Sequence, residues 1–272
     1  MSIIVTARLR ALVLAFGMLS LGTCITASAS EGAVDAQAQP VDVVATSGSQ
    51  PTIVFESGLG ATHDAWKEIL PEIATTHAVF AYSRPGYGRS APVQRPRDGE
   101  TIVAELRALL KSRNVKPPYV LVGHSAGGLY MQLFARRYPK EVAGLVLVDP
   151  THPTQFDGEG ALENRVSPAL LLLARATIGG PFREEFDALV PTGHQVLSAP
   201  PLPRTVPVEI LVAPDKAGTA MAAFDNAKRQ DFANLYPYAR MEAVEGGHQI
   251  PREKPEAVVA AIRRVLSAPK RR

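Results

Sequence analysis

Ser125 stands in Gly-His-Ser-Ala-Gly, after the β-forming run "YVLV" and before "GLYMQLFARRYP", which has a helical pattern. A serine on such a turn can simply cap the helix. Gly123 and Gly127 also allow a second reading, because they remove side chains where strand and helix crowd the turn. The serine can then hold a strained backbone with its hydroxyl exposed, as a nucleophile must. The Gly-x-Ser-x-Gly spacing is weak by itself, and its position between a buried strand and a helix gives it weight. The amide of Ala126, at the helix start, points toward the place where an oxyanion would form.

A hydroxyl is a poor nucleophile until a base takes its proton, so a histidine is required. The chain has six. His124 adjoins Ser125, but its side chain leaves the turn in another direction. His63, His77, His152 and His194 fall in early loops, at a helix end or in a long insertion. His248 follows the last apolar strand in "VEGGHQIPREKPEAV", a glycine-rich loop free to fold over a sheet edge, and is the expected base. A carboxylate at a strand end must then fix the imidazole tautomer and stabilise imidazolium. Asp149, ending "GLVLVDP", and Asp215, just beyond "ILVAPD", both qualify, and each could equally be a turn residue. A second oxyanion amide is expected from Ser57-Gly58-Leu59-Gly60, where the glycines let the Leu59 amide turn inward. No histidine pair has zincin spacing, so neither a metal nor a cofactor is called for.

These residues need a scaffold that brings distant segments to one rim. Strand-like runs at 52–56, 78–82, 119–123, 142–149, 206–213 and 239–246 alternate with helical patterns at 64–76, 99–113, 126–138, 219–235 and 253–267. Short continuous apolar runs are the mark of strands covered on both faces. The expected fold class is therefore α/β, with a mostly parallel central sheet covered by helices on both faces. Residues 30–50 read as a linker or first edge strands. Residues 150–205, about, are far longer than a crossover needs and read as a small helical cap over the carboxyl ends of the strands. Its apolar "PALLLLA" suggests hydrophobic acyl or alcohol groups, though a helix packed on the sheet would read the same.

The chain has 272 residues, 46% of them hydrophobic and 20% charged, which are globular values. Residues 1–29 read as a secretory signal: Arg8 and Arg10 precede "ALVLAFGMLSLG", and Ala27 and Ala29 satisfy small-x-small cleavage. Residues 30–272 would then be the mature domain, exported to the periplasm or beyond. A lipoprotein signal acylated at Cys24 is the competing reading. Without Arg8 and Arg10 the formal charge falls from +3 to +1, which gives no reason to expect nucleic acid. The apolar run is too short for a comfortable membrane span, so the mature chain is expected to have none.

"ESGLG", "SRPGYGRS", "GHSAGG", "LVLVDPTHP" and "GGHQIPREKPEAVVAAI" together resemble the α/β-hydrolase superfamily, within it the single-domain esterase, lipase and peptidase-like group. The resemblance implies a Ser125 nucleophile, oxyanion amides at Leu59 and Ala126, and His248 as base. The family usually takes its acid after the strand that here ends at Ala213, a position falling near Ala217, so Asp215 arrives early. Some members use a carboxylate one strand sooner, where Asp149 stands, and Asp149 is favoured. Glu56 replaces the histidine often seen in the oxyanion segment, and no run of three glycines marks a bulky-ester subfamily. The expected activity is ester hydrolysis through an acyl-enzyme, on a small hydrophobic substrate. The alternatives are an aminopeptidase-like enzyme, for which Glu159, Glu163, Glu184 or Glu185 could meet a substrate amine, and a non-hydrolytic member such as a haloperoxidase or lyase. A binding protein with a dead site is a third class.

Overall fold

Alternate residues of a strand face opposite sides of its sheet, and the apolar runs of this chain supply both sides at once. The computed structural model describes residues 40–169, 172–173 and 179–269. The expected signal at 1–29 with Cys24, most of the "PALLLLA" run and the basic end at 270–272 lie outside the described residues. The strands are β1 (Val43–Thr46), β2 (Ser49–Glu56), β3 (His77–Tyr82), β4 (Tyr119–His124), β5 (Val142–Val148), β6 (Val208–Val212) and β7 (Arg240–Ala243). They form one sheet in the order β1-β3-β2-β4-β5-β6-β7, in which only the edge strand β1 runs antiparallel to its neighbour.

Val54, Phe80, Leu121, Leu145 and Ile210 bury one face; Ile53, Phe55, Val122, Val146 and Leu211 bury the other. Helices α1 (Leu70–Ala74), α2 (Gly99–Ser112), α3 (Ala126–Arg137) and α4 (Leu162–Arg165) come first along the chain. Then follow α5 (Gly180–Asp187), α6 (Leu189–Ser198), α7 (Ala220–Leu235), α8 (Ile250–Glu253) and α9 (Pro255–Ser267). Helices α2, α3, α6 and α7 pack into the first core through residues such as Leu106, Leu133, Val196 and Phe232. Helices α1, α8 and α9 pack into the second through Ile73, Ile250, Val258 and Ile262. Each half of the core thus needs the sheet between them, and the mostly parallel α/β architecture is the one the strand pattern implies.

Two local expectations are revised. The helix over 64–76 divides into a 3₁₀ turn, His63–Trp66, and α1, because Pro71 occupies the first turn of α1 and restarts the helix there. The strand expected to run to Asp149 ends at Val148, where the chain turns sharply: Asp149 has φ +36°. The segment between β5 and β6 carries α4, α5 and α6 in place of a simple crossover. Leu172 and Leu173 of this segment are 71% and 58% exposed, so neither is a core residue. Among the described residues no helix is long and apolar enough to cross a membrane.

Candidate active site

Three non-glycine residues have positive φ among those described, and two of them are Ser125 (+54°) and Asp149 (+36°). Such conformations cost energy and persist only where the surroundings over-determine them. Ser125 lies between β4 and α3, its amide donating to the Val148 carbonyl (3.1 Å) and its carbonyl accepting from the Thr151 amide (3.0 Å). The glycines beside it are needed for close approach. A Cβ at Gly123 would lie 2.6 Å from the Gly127 carbonyl oxygen, and one at Gly127 would run into the carbonyl oxygens of Glu56 and Ser57. The turn therefore brings α3 onto the end of β2, where the Ser57–Gly60 loop begins.

His248 extends from the loop after β7. Its Nε2 lies 3.0 Å from Ser125 Oγ and its Nδ1 2.6 Å from Asp149 Oδ2. Asp149 is buried at the end of β5, where its Oδ1 accepts from the Ala213 amide (3.1 Å). Arg229 of α7 donates to both carboxylate oxygens, through Nε at 2.9 Å and a terminal nitrogen at 3.2 Å. Burial would raise this carboxyl, but the hydrogen bonds from His248 and Arg229 outweigh it and hold the pKa down to about 2. An ionised Asp149 can only accept, so a neutral His248 carries its proton on Nδ1 and offers Nε2 to the serine hydroxyl. Asp215 is elsewhere: it is exposed, and its side chain accepts from the Ala217 amide in a local turn.

Ala126 follows the serine directly, and Leu59 belongs to a loop that passes beside it. Ala126 is the first residue of α3, where an amide has no intrahelical acceptor. The Leu59 loop passes close by, since a Cβ at Gly58 would lie 3.2 Å from the Ser125 Cβ. Beside the serine is a cavity of about 120 Å³ bordered by Asp149, Pro150, His152, Gln155, Phe156 and Arg229. Among the described residues no cluster of His, Cys, Asp and Glu could hold a metal ion.

His124 has a part that sequence reasoning missed. It is buried, and its Nε2 donates to the His248 backbone carbonyl (2.8 Å) while the two rings lie 4.7 Å apart. Burial, with the nearby His248, pushes its pKa down to about 4, and burial does the same to His152. A histidine kept neutral when folded binds fewer protons than the unfolded chain between pH 6.5 and 4. The stability it contributes is complete above 6.5 and is lost as pH falls toward 4. Each residue is expected to remove about 2 kcal/mol between pH 7 and pH 5. Urea unfolding of His124→Gln should show this pH loss reduced by about one histidine's share. An unaltered pH slope would show that His124 is not held neutral. The other histidines are committed away from the serine: His63 faces Asp42 (3.2 Å) and His194 faces Asp157 (2.9 Å).

A mostly parallel sheet of this order, with a strained serine between β4 and α3 and a helical insertion after β5, is the α/β-hydrolase fold. The family model described as alpha/beta hydrolase fold matches residues 51–178, a little under half of the chain. The match includes Ser125 and Asp149 and stops before β6. Two curated proteins of Bacillus subtilis are similar to it: the uncharacterized protein YqjL, 39% identical over 99 residues, and the uncharacterized protein YbdG, 32% identical over 126 residues. These matches cover 36% and 45% of this chain, and it spans under two fifths of YbdG and 39% of YqjL. Among solved structures, a thermophilic esterase from Thermogutta terrifontis superposes with TM-score 0.59 at 21% identity, covering 83% of this chain and 93% of that one. The epoxide hydrolase CorEH superposes with TM-score 0.60 at 19% identity, covering 83% and 94%. Likeness at that identity establishes the fold alone.

Proposed function

We propose that the protein is an exported serine hydrolase that cleaves carboxylic esters through an acyl-enzyme. The observation that supports this reading most is the continuous hydrogen-bonded path from Ser125 Oγ through His248 to Asp149, at 3.0 Å and 2.6 Å. In the first half-reaction Ser125 Oγ bonds to the ester carbonyl carbon and its proton passes to His248 Nε2. The Leu59 and Ala126 amides receive the oxyanion. Collapse breaks the carbon–oxygen bond to the alcohol, which leaves with the proton from His248. Water then repeats the sequence on the acyl-serine and releases the acid. Asp149 keeps the imidazole in the productive tautomer and stabilises imidazolium. The export part of the proposal rests on Arg8, Arg10 and the apolar run behind them.

The cavity favours compact substrates with some polarity over long apolar chains. Its volume of about 120 Å³ is small beside the ~300 Å³ at which drug-sized ligand sites begin. His152, Gln155 and Arg229 stand on its wall with Phe156 and Pro150, whereas Leu172 and Leu173 project into solvent. Among the described residues of this wall Asp149 is the one carboxylate, and it is already shared between His248 and Arg229, which supports the ester reading over the peptidase one. Glu185 is buried away from it, and Glu159 and Glu184 are surface residues.

Treatment with a fluorophosphonate, followed by peptide mass mapping, is expected to place the adduct on Ser125. In a series of p-nitrophenyl esters, kcat/KM is expected to peak at acetate to butyrate and fall beyond. Folded protein that neither takes the label nor turns over acetate would leave a binding protein as the better account.

A further inference from the structure

The "SRPGYGRS" segment has no part in the chemistry above, yet Arg84 within it is among the largest fully buried side chains of the protein. Its guanidinium makes contacts in two directions. Toward the sheet it donates to Glu56 Oε1 (2.6 Å), to the Ser57 carbonyl (2.6 Å) and to the Gly58 carbonyl (2.9 Å). Toward the cap it donates to Glu185 through Nε at 3.0 and 3.1 Å and through a terminal nitrogen at 2.8 Å. The Tyr87 hydroxyl donates to Glu185 (3.1 Å), and the Tyr82 hydroxyl donates to Glu56 (2.5 Å). The guanidinium also lies 5.2 Å and 5.3 Å from the ring centroids of Tyr87 and Tyr130, the latter on α3 behind the serine.

We infer that Arg84 is a positioning residue for the oxyanion loop, and that Glu185 makes the docked cap part of the same device. The inference deepens the hydrolase reading and rests on the Leu59 amide acting as an oxyanion donor. The Ser57 and Gly58 carbonyls are the two backbone groups just before that amide. Two charge-assisted hydrogen bonds on them fix the rotation of the peptide units that aim it. Arg84 is held in turn by Glu185 at the sixth position of α5, with both side chains of that pairing buried.

Packing of the same helix gives independent support. A Cβ at Gly60 would lie 2.8 Å from the Phe182 ring, and one at Gly86 2.7 Å from the Pro181 ring. The first turn of α5 is therefore seated on the oxyanion loop and on the loop carrying Arg84. Gly60 and Gly86 have φ of +73° and +83°, so glycine supplies there both the backbone conformation and the room. Burying five charges, those of Arg84, Arg97, Glu56, Glu105 and Glu185, is a poor way to gain stability, since apolar residues of like volume serve as well or better. A fixed geometry is what such a cluster supplies that apolar packing does not.

The test compares Glu185→Gln with its exposed neighbour Glu184→Gln in the full chain. For each, kcat is expressed per active site titrated with the phosphonate, and a trifluoromethyl ketone that forms an oxyanion-bearing adduct on serine reports the oxyanion site. Glu185→Gln is expected to lower kcat about tenfold and weaken the ketone about tenfold, a fraction of the loss on deleting an oxyanion donor, with KM within about twofold. Glu184→Gln should change neither. A raised KM with kcat intact would overturn the proposal by making the cap a device for admitting substrate only; a lower kcat with unchanged ketone affinity would overturn it as well. If Glu185→Gln does not fold, Tyr87→Phe removes a single hydrogen bond from Glu185 and should shift both readouts about threefold in the same directions. No shift there overturns the proposal. Failure of the wild type to take the label on Ser125 would instead sink the parent reading.

Discussion

Ser125→Ala is expected to lower kcat for p-nitrophenyl acetate by roughly 10⁴- to 10⁶-fold, with little change in melting temperature. The size follows from what is removed. Among the described residues no other hydroxyl is hydrogen-bonded to His248 Nε2, so the variant has no group to form the acyl ester. The strained backbone is equally open to alanine, and the turn stays anchored by main-chain bonds to Val148 and Thr151. The Leu59 and Ala126 amides remain, and a residual rate above the uncatalysed reaction is the expected remnant. Steady-state hydrolysis, together with loss of the acyl-enzyme burst, checks this. A folded variant that kept a large share of its turnover would move the nucleophile elsewhere.

Asp149→Asn is expected to cost about 10⁴-fold in kcat, while Asp215→Asn stays within about twofold. The carboxylate at 149 dictates which imidazole nitrogen holds the proton; an amide can present its NH₂ to Nδ1 and so favour the wrong tautomer. Asparagine also leaves Arg229 without its anionic partner, which by itself destabilises. Arg229→Gln separates the two effects, since it disturbs the pairing but keeps the carboxylate on His248, and a much smaller loss is expected. The direction of the acid response also follows. The Asp149 carboxyl is held down to about 2 when folded, against an ordinary aspartate value of 3.8, so its contribution to stability is present above pH 3.8 and is lost as pH falls toward 2. Parallel kinetics on the three variants decide the matter, and an equal or larger loss at Asp215 would reverse the assignment.

How much of this site could be read from sequence depends on how local its signals are. Ser125 and His248 announce themselves through adjacent glycines and the strands before them. Asp149 and Asp215 could not be told apart that way, because both follow apolar strands and both suit turns. Their difference lies in the sheet: β5 is the neighbour of β4, so Asp149 ends beside the serine turn, whereas Asp215 is consumed by its own turn. Arg229 and Glu185 were out of reach for a further reason. Their partners lie 80 and 101 residues away in sequence, and nothing in the pattern of a helix says which distant ion it will meet. Glu185 stood in the sequence as a candidate for greeting an amine, and the fold instead buries it against Arg84 and Tyr87. The alternation of strands and helices was legible almost throughout, since covered strands must be apolar on both faces. The break at Pro71 was lost because the apolar spacing around Trp66 and Ile69 continues across it.

The segment bearing His248 is staked at its ends by buried Val244 and Ile250, and between them residues 245–249 are exposed. Beyond the links of His248 to Asp149, Ser125 and His124, the segment is tied by a 2.5 Å bond from the Gly247 amide to Glu253, by the Gln249 carbonyl, which accepts from the Arg252 and Glu253 amides, and by an exposed ion pair of Glu245 with Lys216 at 3.7 Å. Releasing them exposes almost no oily surface, whereas melting the sheet exposes both of its cores. Warming would therefore disarm this molecule well before it unravels, and cooling would rearm it without refolding.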